Sequence, residues 1–249
     1  MFKKTAQNPF SLLNAAWQWL LEAIFPRRCL NCGRWGAWCC PVCLASLTYP
    51  RQLHCPDCQT VTSLGEFCPN CAGGHYLSGV WSAQPYGNPI VRNLIKAFKF
   101  DGVREVAPIL VNLINGLTRA FNLPPAWHEV PREQWCLTPV PLAPRRERQR
   151  DFNQSEILAA LISQNVNLPN ELTLQRIVNS KPQSELKNEA DRAKNIKGVY
   201  KILPGANIAG RAFILVDDVY TSGATLEECA RVLKANGASG VWGLTVAKG

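Results

Sequence analysis

The order of apolar and polar positions separates a cysteine-bearing front from an α/β body that begins near Gly79. Val80 to Tyr86 reads as a strand. Asn88-Pro89 then opens a helix with Ile90, Val91, Leu94, Ile95 and Phe98 on one face, and Lys96 and Lys99 elsewhere on its surface. A second helix is predicted from about Arg104 to Phe121. A Pro-rich connection leads to the short strand Trp135-Cys136-Leu137-Thr138, and a further helix runs from Ser155 to about Gln164. Phe213-Ile214-Leu215-Val216 is an apolar run bounded by turn chemistry, which marks a buried strand of a parallel sheet. After it Leu226, Cys229, Ala230 and Leu233 recur at helical spacing and stop near Asn236-Gly237. The fold class expected is α/β, a parallel sheet flanked by helices.

Ahead of this body, Asn8 can cap a helix with Pro9 at its first position. Phe10, Leu13, Trp17, Leu20 and Ile24 form one apolar stripe ending before Pro26. Such a helix packs on the protein or a partner. Alternatively residues 8–26 lie on a membrane surface, with Trp17 and Trp19 at the interface and Lys3, Lys4, Arg27 and Arg28 toward lipid phosphates. No apolar run reaches the ~18 residues of a membrane span. Asn14, Gln18 and Glu22 interrupt the stripe and no small-residue cleavage site follows, so export is not expected.

Residues 29–71 hold four C-x-x-C pairs: Cys29/Cys32, Cys40/Cys43, Cys55/Cys58 and Cys68/Cys71. A two-residue gap lets one turn aim both sulfurs at a single ion. The segments CLNC…CPVC and CPDC…CPNC form an internal repeat. Two tandem zinc ribbons, each ion held by adjacent pairs, are the simplest account, and a cross-braced pairing has compatible spacing. Four thiolates close the coordination sphere, so both zinc ions are expected to be structural. Cysteines used in this way point to a reducing cytoplasm. Cys39 has no partner in the pattern, His54 and His75 are superfluous as ligands, and Cys136 and Cys229 fall in apolar patterns that place them in the core. The organisation expected is an amphipathic helix over 1–28, a double zinc ribbon over 29–78, within which Ala72-Gly73-Gly74 begins a linker, and the α/β domain over 79–249.

The chemistry concentrates after the apolar run 213–216. Asp217 and Asp218 follow at the strand's C-terminal end, where open α/β sheets place their ligands. Thr221-Ser222-Gly223-Ala224-Thr225 then forms a strand-to-helix loop. Backbone N–H groups at the helix N-terminus point outward, Gly223 permits close approach and three hydroxyls add donors, which makes a phosphate cradle. A second strand-to-helix connection carries Pro139-Val140-Pro141-Leu142, then Arg145, Arg146, Arg148 and Arg150, then Asp151-Phe152-Asn153-Gln154.

Charge changes the picture only modestly. The 27 Lys and Arg against 18 Asp and Glu give a formal +9 over 249 residues. Eight thiolates on two Zn²⁺ would lower this to about +5. The balance suits phosphate-rich partners. Apolar content of 47% excludes a disordered chain.

The order of apolar strand, two acids, Thr-Ser-Gly-x-Thr and helix resembles the phosphoribosyl-pyrophosphate (PRPP) motif of type I phosphoribosyltransferases. With PVPL, the arginine-rich turn, F-N-Q and the paired cysteines, the chain from Cys29 onward resembles the ComF family, competence proteins of DNA uptake. The resemblance implies a double zinc ribbon before a phosphoribosyltransferase domain. It implies that Thr221 to Thr225 hold a ribose 5-phosphate while Asp217 and Asp218 reach ribose hydroxyls. It also implies pyrophosphate or DNA contacts from Arg145, Arg146, Arg148, Arg150, Asn153, Gln154, Arg176, Gln183, Arg192 and Asn195, the last three in a stretch that resembles the family's closing loop. Expected ligands are single-stranded DNA and PRPP with Mg²⁺. Expected partners are other competence proteins such as an uptake helicase, on the cytoplasmic side, with peripheral placement at the inner membrane as the alternative. Asp151 stands where the family has Gly, which matters if that residue needs φ > 0, and it would set a negative charge beside the pyrophosphate.

Overall fold

The computed structural model describes residues 26–123, 131–177 and 196–249. The amphipathic stretch from Asn8 to Ile24 lies outside them, as do Gln183, Arg192 and Asn195. The chain divides into two compact units, the first ending at Leu47 and the second running from Thr48 to Gly249.

In the first unit the segment after Cys29 turns on itself, with Gly33 N donating to Cys29 O at 2.9 Å and Cys29 N to Arg34 O at 2.8 Å. Cys40 N donates to Cys29 Sγ at 3.4 Å, so the second cysteine pair is folded back onto the first. A five-residue helix, α1 (Pro41–Ala45), begins on Pro41 and carries Cys43 on its buried side.

The second unit opens with a two-residue hairpin of β1 (Leu53–His54) and β2 (Val61–Thr62), paired antiparallel. Strand β3 (Gly79–Pro85) begins the α/β body. Helix α2 (Pro89–Phe100) follows, capped by the Asn88 side chain accepting from Ile90 N, and buries the stripe Ile90, Val91, Leu94, Ile95 and Phe98. Phe98 is fully buried, so its truncation to Ala would cost about 3–5 kcal/mol. A 3₁₀ turn over Arg104–Val106 leads into α3 (Ala107–Phe121). The chain continues through β4 (Trp135–Pro139), α4 (Pro144–Arg150) and α5 (Gln154–Val166). A small antiparallel pair, β5 (Leu174–Arg176) with β6 (Tyr200–Ile202), precedes β7 (Ala212–Tyr220), α6 (Ala224–Ala235) and β8 (Gly240–Lys248).

The main sheet has the order β3-β8-β7-β4 and every neighbour is parallel. The expected parallel sheet flanked by helices is therefore present. Its central strand β8 was assigned no element in the pattern above. The interruption of Val241-Trp242 by Gly243 hides a strand that is buried on both sides.

Two sequence expectations change. The arginine-rich segment is a seven-residue helix rather than a turn. Ala72-Gly73-Gly74, read as the start of a linker, is a 3₁₀ turn, and the second cysteine group is stitched into the body beyond it. Phe67 N donates to Ser78 O at 3.1 Å and Ser78 N to Val241 O at 2.7 Å. Trp81 donates its indole N–H to Leu64 O at 2.6 Å and stacks on Trp242 at 4.5 Å. Cys55 and Cys68 share one apolar cluster with Cys136, Phe213 and Cys229. As expected, Cys136 and Cys229 are core residues.

Candidate functional site

Parallel strands all end on one side, and the register makes a step there. Pro139 at the end of β4 pairs with Val216, so β7 runs four residues further, through Asp217 to Tyr220. A cleft of about 670 Å³ fills the step. Its walls are Tyr86 after β3, Val140 to Leu142 after β4, the second half of α4, Tyr200 on β6 and the loop from Asp217 to Leu226. A more open depression of about 810 Å³ lies at the opposite strand ends beside the Glu171–Arg211 ion pair.

The loop from Thr221 to Gly223 delivers the chain into α6. Gly223 has φ +73°, and a Cβ placed there would meet Tyr220 Oη at 2.6 Å. Both backbone conformation and space therefore demand glycine. Helix α6 starts with Glu227 N bonded to Gly223 O at 2.9 Å, so the amides before it lack intrahelical acceptors. Thr221, Gly223, Ala224 and Thr225 line the cleft. Ser222 does not, and its hydroxyl oxygen is buried without a hydrogen-bond partner among the described residues.

The paired acids are held differently. Asp218 is buried and its Oδ1 lies 2.7 Å from Lys99 Nζ. Asp217 accepts from Ser155 Oγ at 3.0 Å and from the Asp218 N–H at 2.8 Å. Burial and the neighbouring Asp218 carboxylate push Asp217 up to about 7, against the pull of Lys99 and these two hydrogen bonds. Lys99 and Ser155 were not recognised as site residues in the sequence. Each meets its acid across more than sixty positions, a relation that local pattern does not carry.

The structure sorts the basic and polar candidates. Arg146 and Arg150, one helical turn apart on α4, line the cleft, as does Arg176 on β5, whose guanidinium donates to Tyr200 Oη at 3.2 Å. Arg148 is exposed and not part of the lining. The side chain of Arg145 lies outside what the structure describes. Burial draws the Arg150 guanidinium below its ordinary value, opposed by Asp218. Arg150 Nη1 donates to Gln154 Oε1 at 3.0 Å. Since Arg can only donate, the amide oxygen must face it, leaving Gln154 Nε2 as a buried donor with no partner among the described residues. That donor sits in the cleft wall, where it suits an anionic oxygen. Asn153 is used otherwise: it caps α5 by accepting from Ser155 N at 3.1 Å and donates to Val140 O at 3.2 Å, without lining the cleft. Asp151 takes φ +59° as the C-cap of α4, the left-handed conformation the family's Gly would supply, and it too is outside the lining.

The cysteines gather in adjacent pairs. Cys29, Cys32, Cys40 and Cys43 form one group, and Cys55, Cys58, Cys68 and Cys71 the other, each with all four sulfurs within 4.8 Å of one another. Cys32 and Cys40 Sγ are 3.6 Å apart, and Cys58 and Cys68 Sγ 3.5 Å. A tetrahedral Zn²⁺ with ~2.3 Å bonds needs sulfur edges of about 3.8 Å, so both donor sets fit zinc. The sequential pairing holds, and neither His54 nor His75 belongs to a group.

No protein-family model matches the chain. Competence protein ComFC of Bacillus subtilis is 28% identical over 206 residues, spanning 80% of this chain and 78% of that protein. Competence protein F of Haemophilus influenzae is 27% identical over 231 residues, spanning 82% and 95%. DNA utilization protein YhgH of Salmonella typhimurium is 33% identical over 224 residues, spanning 85% and 90%. The chain belongs to the ComF family. Among solved structures, a hypoxanthine phosphoribosyltransferase of Staphylococcus aureus superposes with TM-score 0.34 and 11% identity, over 58% of this chain and 64% of that one. The ComF-family chain thus joins two four-cysteine groups to a parallel-sheet domain. Among the described residues, no helix is long and apolar enough to cross a membrane.

Proposed function

We propose that this protein handles incoming single-stranded DNA on the cytoplasmic side during natural transformation, using the strand-end cleft to bind phosphate groups. The observation that carries the reading is the convergence of Lys99, Arg146, Arg150 and Arg176 with the Gly223 loop and the Gln154 Nε2 donor, unpartnered among the described residues, in one cleft. Charge-assisted donors and helix-terminal amides recognise phosphate oxygens whatever the base sequence. Names given to the relatives, competence and DNA utilization proteins, support the same setting. Two structural zinc ions, one in each four-cysteine group, complete the reading, with the first group free of any catalytic duty because its coordination would be closed.

A second reading is favoured by the acid pair. Asp217 and Asp218 line the same cleft as the Gly223 loop, which supports a reading in which a ribose presents its hydroxyls to the acids while the loop takes its 5-phosphate. The cleft would then take PRPP with Mg²⁺, and the protein would transfer the phosphoribosyl group to an acceptor while pyrophosphate leaves. Titration with a single-stranded oligonucleotide, and separately with PRPP and Mg²⁺ while pyrophosphate release is followed over a panel of bases, distinguishes the two. Oligonucleotide binding without pyrophosphate release supports the first. Failure to bind any oligonucleotide removes it.

A further inference from the structure

We propose that Phe100 is a stacking platform for a nucleobase, forming the base-recognition half of the cleft whose other half takes phosphate. The proposal rests on the single-strand reading above and adds to it how bases, as distinct from phosphates, are held.

Phe100 ends α2 but does not belong to its apolar stripe, which runs through Ile90, Val91, Leu94, Ile95 and Phe98. It is 69% exposed, more than any other large apolar side chain among the described residues. The preceding Lys99 is tied to Asp218 at 2.7 Å, which anchors the end of α2 at the acid pair. Phe100 lines the same cleft as the acid pair. The Arg150 guanidinium lies 5.1 Å from the ring centroid, a cation–π distance, so one residue serves both the aromatic ring and the phosphate side of the cleft.

This combination selects a ligand class. An anion alone needs no exposed aromatic ring. A lipid or a protein partner would need an apolar patch, yet among the described residues the cleft contains only this one strongly exposed large apolar side chain, and Val42, Val61, Leu172 and Ile177 lie outside its lining. A planar π-system carrying phosphate meets both features at once, as a nucleotide does. Stacking on a ring face is indifferent to base identity, which suits a protein that takes DNA of any sequence. Trp35, another exposed aromatic residue, belongs to the first unit and has the Arg28 guanidinium 3.5 Å over its ring. Phe100 shares a unit with the phosphate loop.

The test uses the full chain and four probes: oligo-dT, an abasic oligonucleotide of equal length, dTMP, and PRPP with Mg²⁺. Phe100→Ala is expected to weaken oligo-dT binding about 5- to 150-fold while abasic DNA and PRPP change less than about twofold. Phe100→Trp should retain or tighten oligo-dT binding, and Phe100→Leu should fall toward the Ala variant. If dTMP loses affinity in parallel, a free nucleotide also reaches the platform. If only the oligonucleotide does, the ring acts on strands; either result supports stacking. Unchanged oligo-dT binding in Phe100→Ala overturns the proposal. Equal loss of abasic DNA with a flatter salt dependence also overturns it, because that is the signature of a displaced Arg150. A parent protein that binds neither oligonucleotide but does bind PRPP overturns the single-strand reading itself, and the platform falls with it.

Discussion

His75 Nδ1 lies 2.5 Å from Glu227 Oε1, which ties the second cysteine group to the first turn of the helix behind the Gly223 loop. The other ring nitrogen is 2.7 Å from Asp57 Oδ2, inside the Cys55–Cys58 knuckle, and the ring stacks on Phe67 at 3.7 Å. Tyr76 N adds a bond to Glu227 Oε2 at 2.9 Å, and Lys248 Nζ reaches Pro56 O at 2.6 Å. The knuckle therefore braces the cradle from behind. His75→Gln is expected to weaken phosphate-ligand binding several-fold without touching the ligand. A calorimetric titration of PRPP or oligonucleotide showing parental affinity would refute the brace.

The same histidine gives a pH signature. Burial disfavours the charged ring, but hydrogen bonds to Glu227 and Asp57 outweigh it and raise His75 above its ordinary value. A raised folded-state value means the stabilisation is fully present below about pH 6.5 and is lost as pH rises through the folded value. Melting temperatures of the parent should fall over that window, and His75→Gln should flatten the fall.

Metal removal should separate the two cysteine groups. Cys55 and Cys68 belong to the core cluster of the second unit, whereas Cys29 to Cys43 lie in the first. Metal analysis is expected to give about two zinc ions per chain, and Cys68→Ser should lower the main unfolding transition far more than Cys40→Ser does. Equal effects on that transition would contradict the assignment of Cys68 to the shared core.

Much of this site was legible beforehand because its signals are local. The strand, two acids and a Gly-bearing loop before a helix are contiguous, and each cysteine group closes within fifteen or seventeen residues. The condition raised at Asp151, that losing Gly matters if φ > 0 is needed there, was likewise a property of one position, and Asp151 has φ +59°. What escaped was set by tertiary contact. Lys99 read as a surface lysine until α2 brought it to Asp218, and Ser155 as an ordinary first-turn residue until α5 packed beside β7. Arg148 and Arg150 are indistinguishable as letters. A helix rather than a turn at 144–150 puts one in the cleft and the other outside it.

Gly223 is a poorer probe of phosphate binding than its place in the loop implies. With φ +73° and Tyr220 Oη in the space of a Cβ, Gly223→Ala should cost on the order of 1–3 kcal/mol of stability even without ligand. Thr221→Val, at an exposed lining position, should leave the melting temperature within a degree or two yet lower phosphate affinity several-fold. Normal binding in Thr221→Val would remove the hydroxyl from the cradle.

Asp217 sets stability against binding. Its value, raised to about 7, means the folded state holds a proton that the unfolded chain releases near pH 4. Stability from this group therefore declines as pH rises from about 4 to 7. Asp217→Asn should make the ligand-free protein more stable at pH 8 and level its pH dependence, while weakening any ligand that presents ribose hydroxyls. A variant less stable than the parent at pH 8 would show that the Ser155 and Asp218 hydrogen bonds outweigh the repulsion between the two acids.

Salt dependence reports on the arginines of the cleft. Each phosphate neutralised on a single strand contributes about −0.7 to the slope of log affinity against log salt. Arg150 and Arg146 line the cleft, so Arg150→Ala should flatten the oligonucleotide slope by roughly that amount and lower PRPP affinity as well. Because Arg150→Ala also strips Gln154 of its partner, Arg150→Lys serves as control: it keeps the charge and the slope but loses the directed bond at 3.0 Å. Arg148 faces solvent outside the lining, and Arg148→Ala should leave PRPP binding unchanged. PRPP should also compete with DNA if both use this cleft. Arg150→Ala losing PRPP while keeping DNA affinity and slope would place the strand elsewhere and favour the phosphoribosyl-transfer reading.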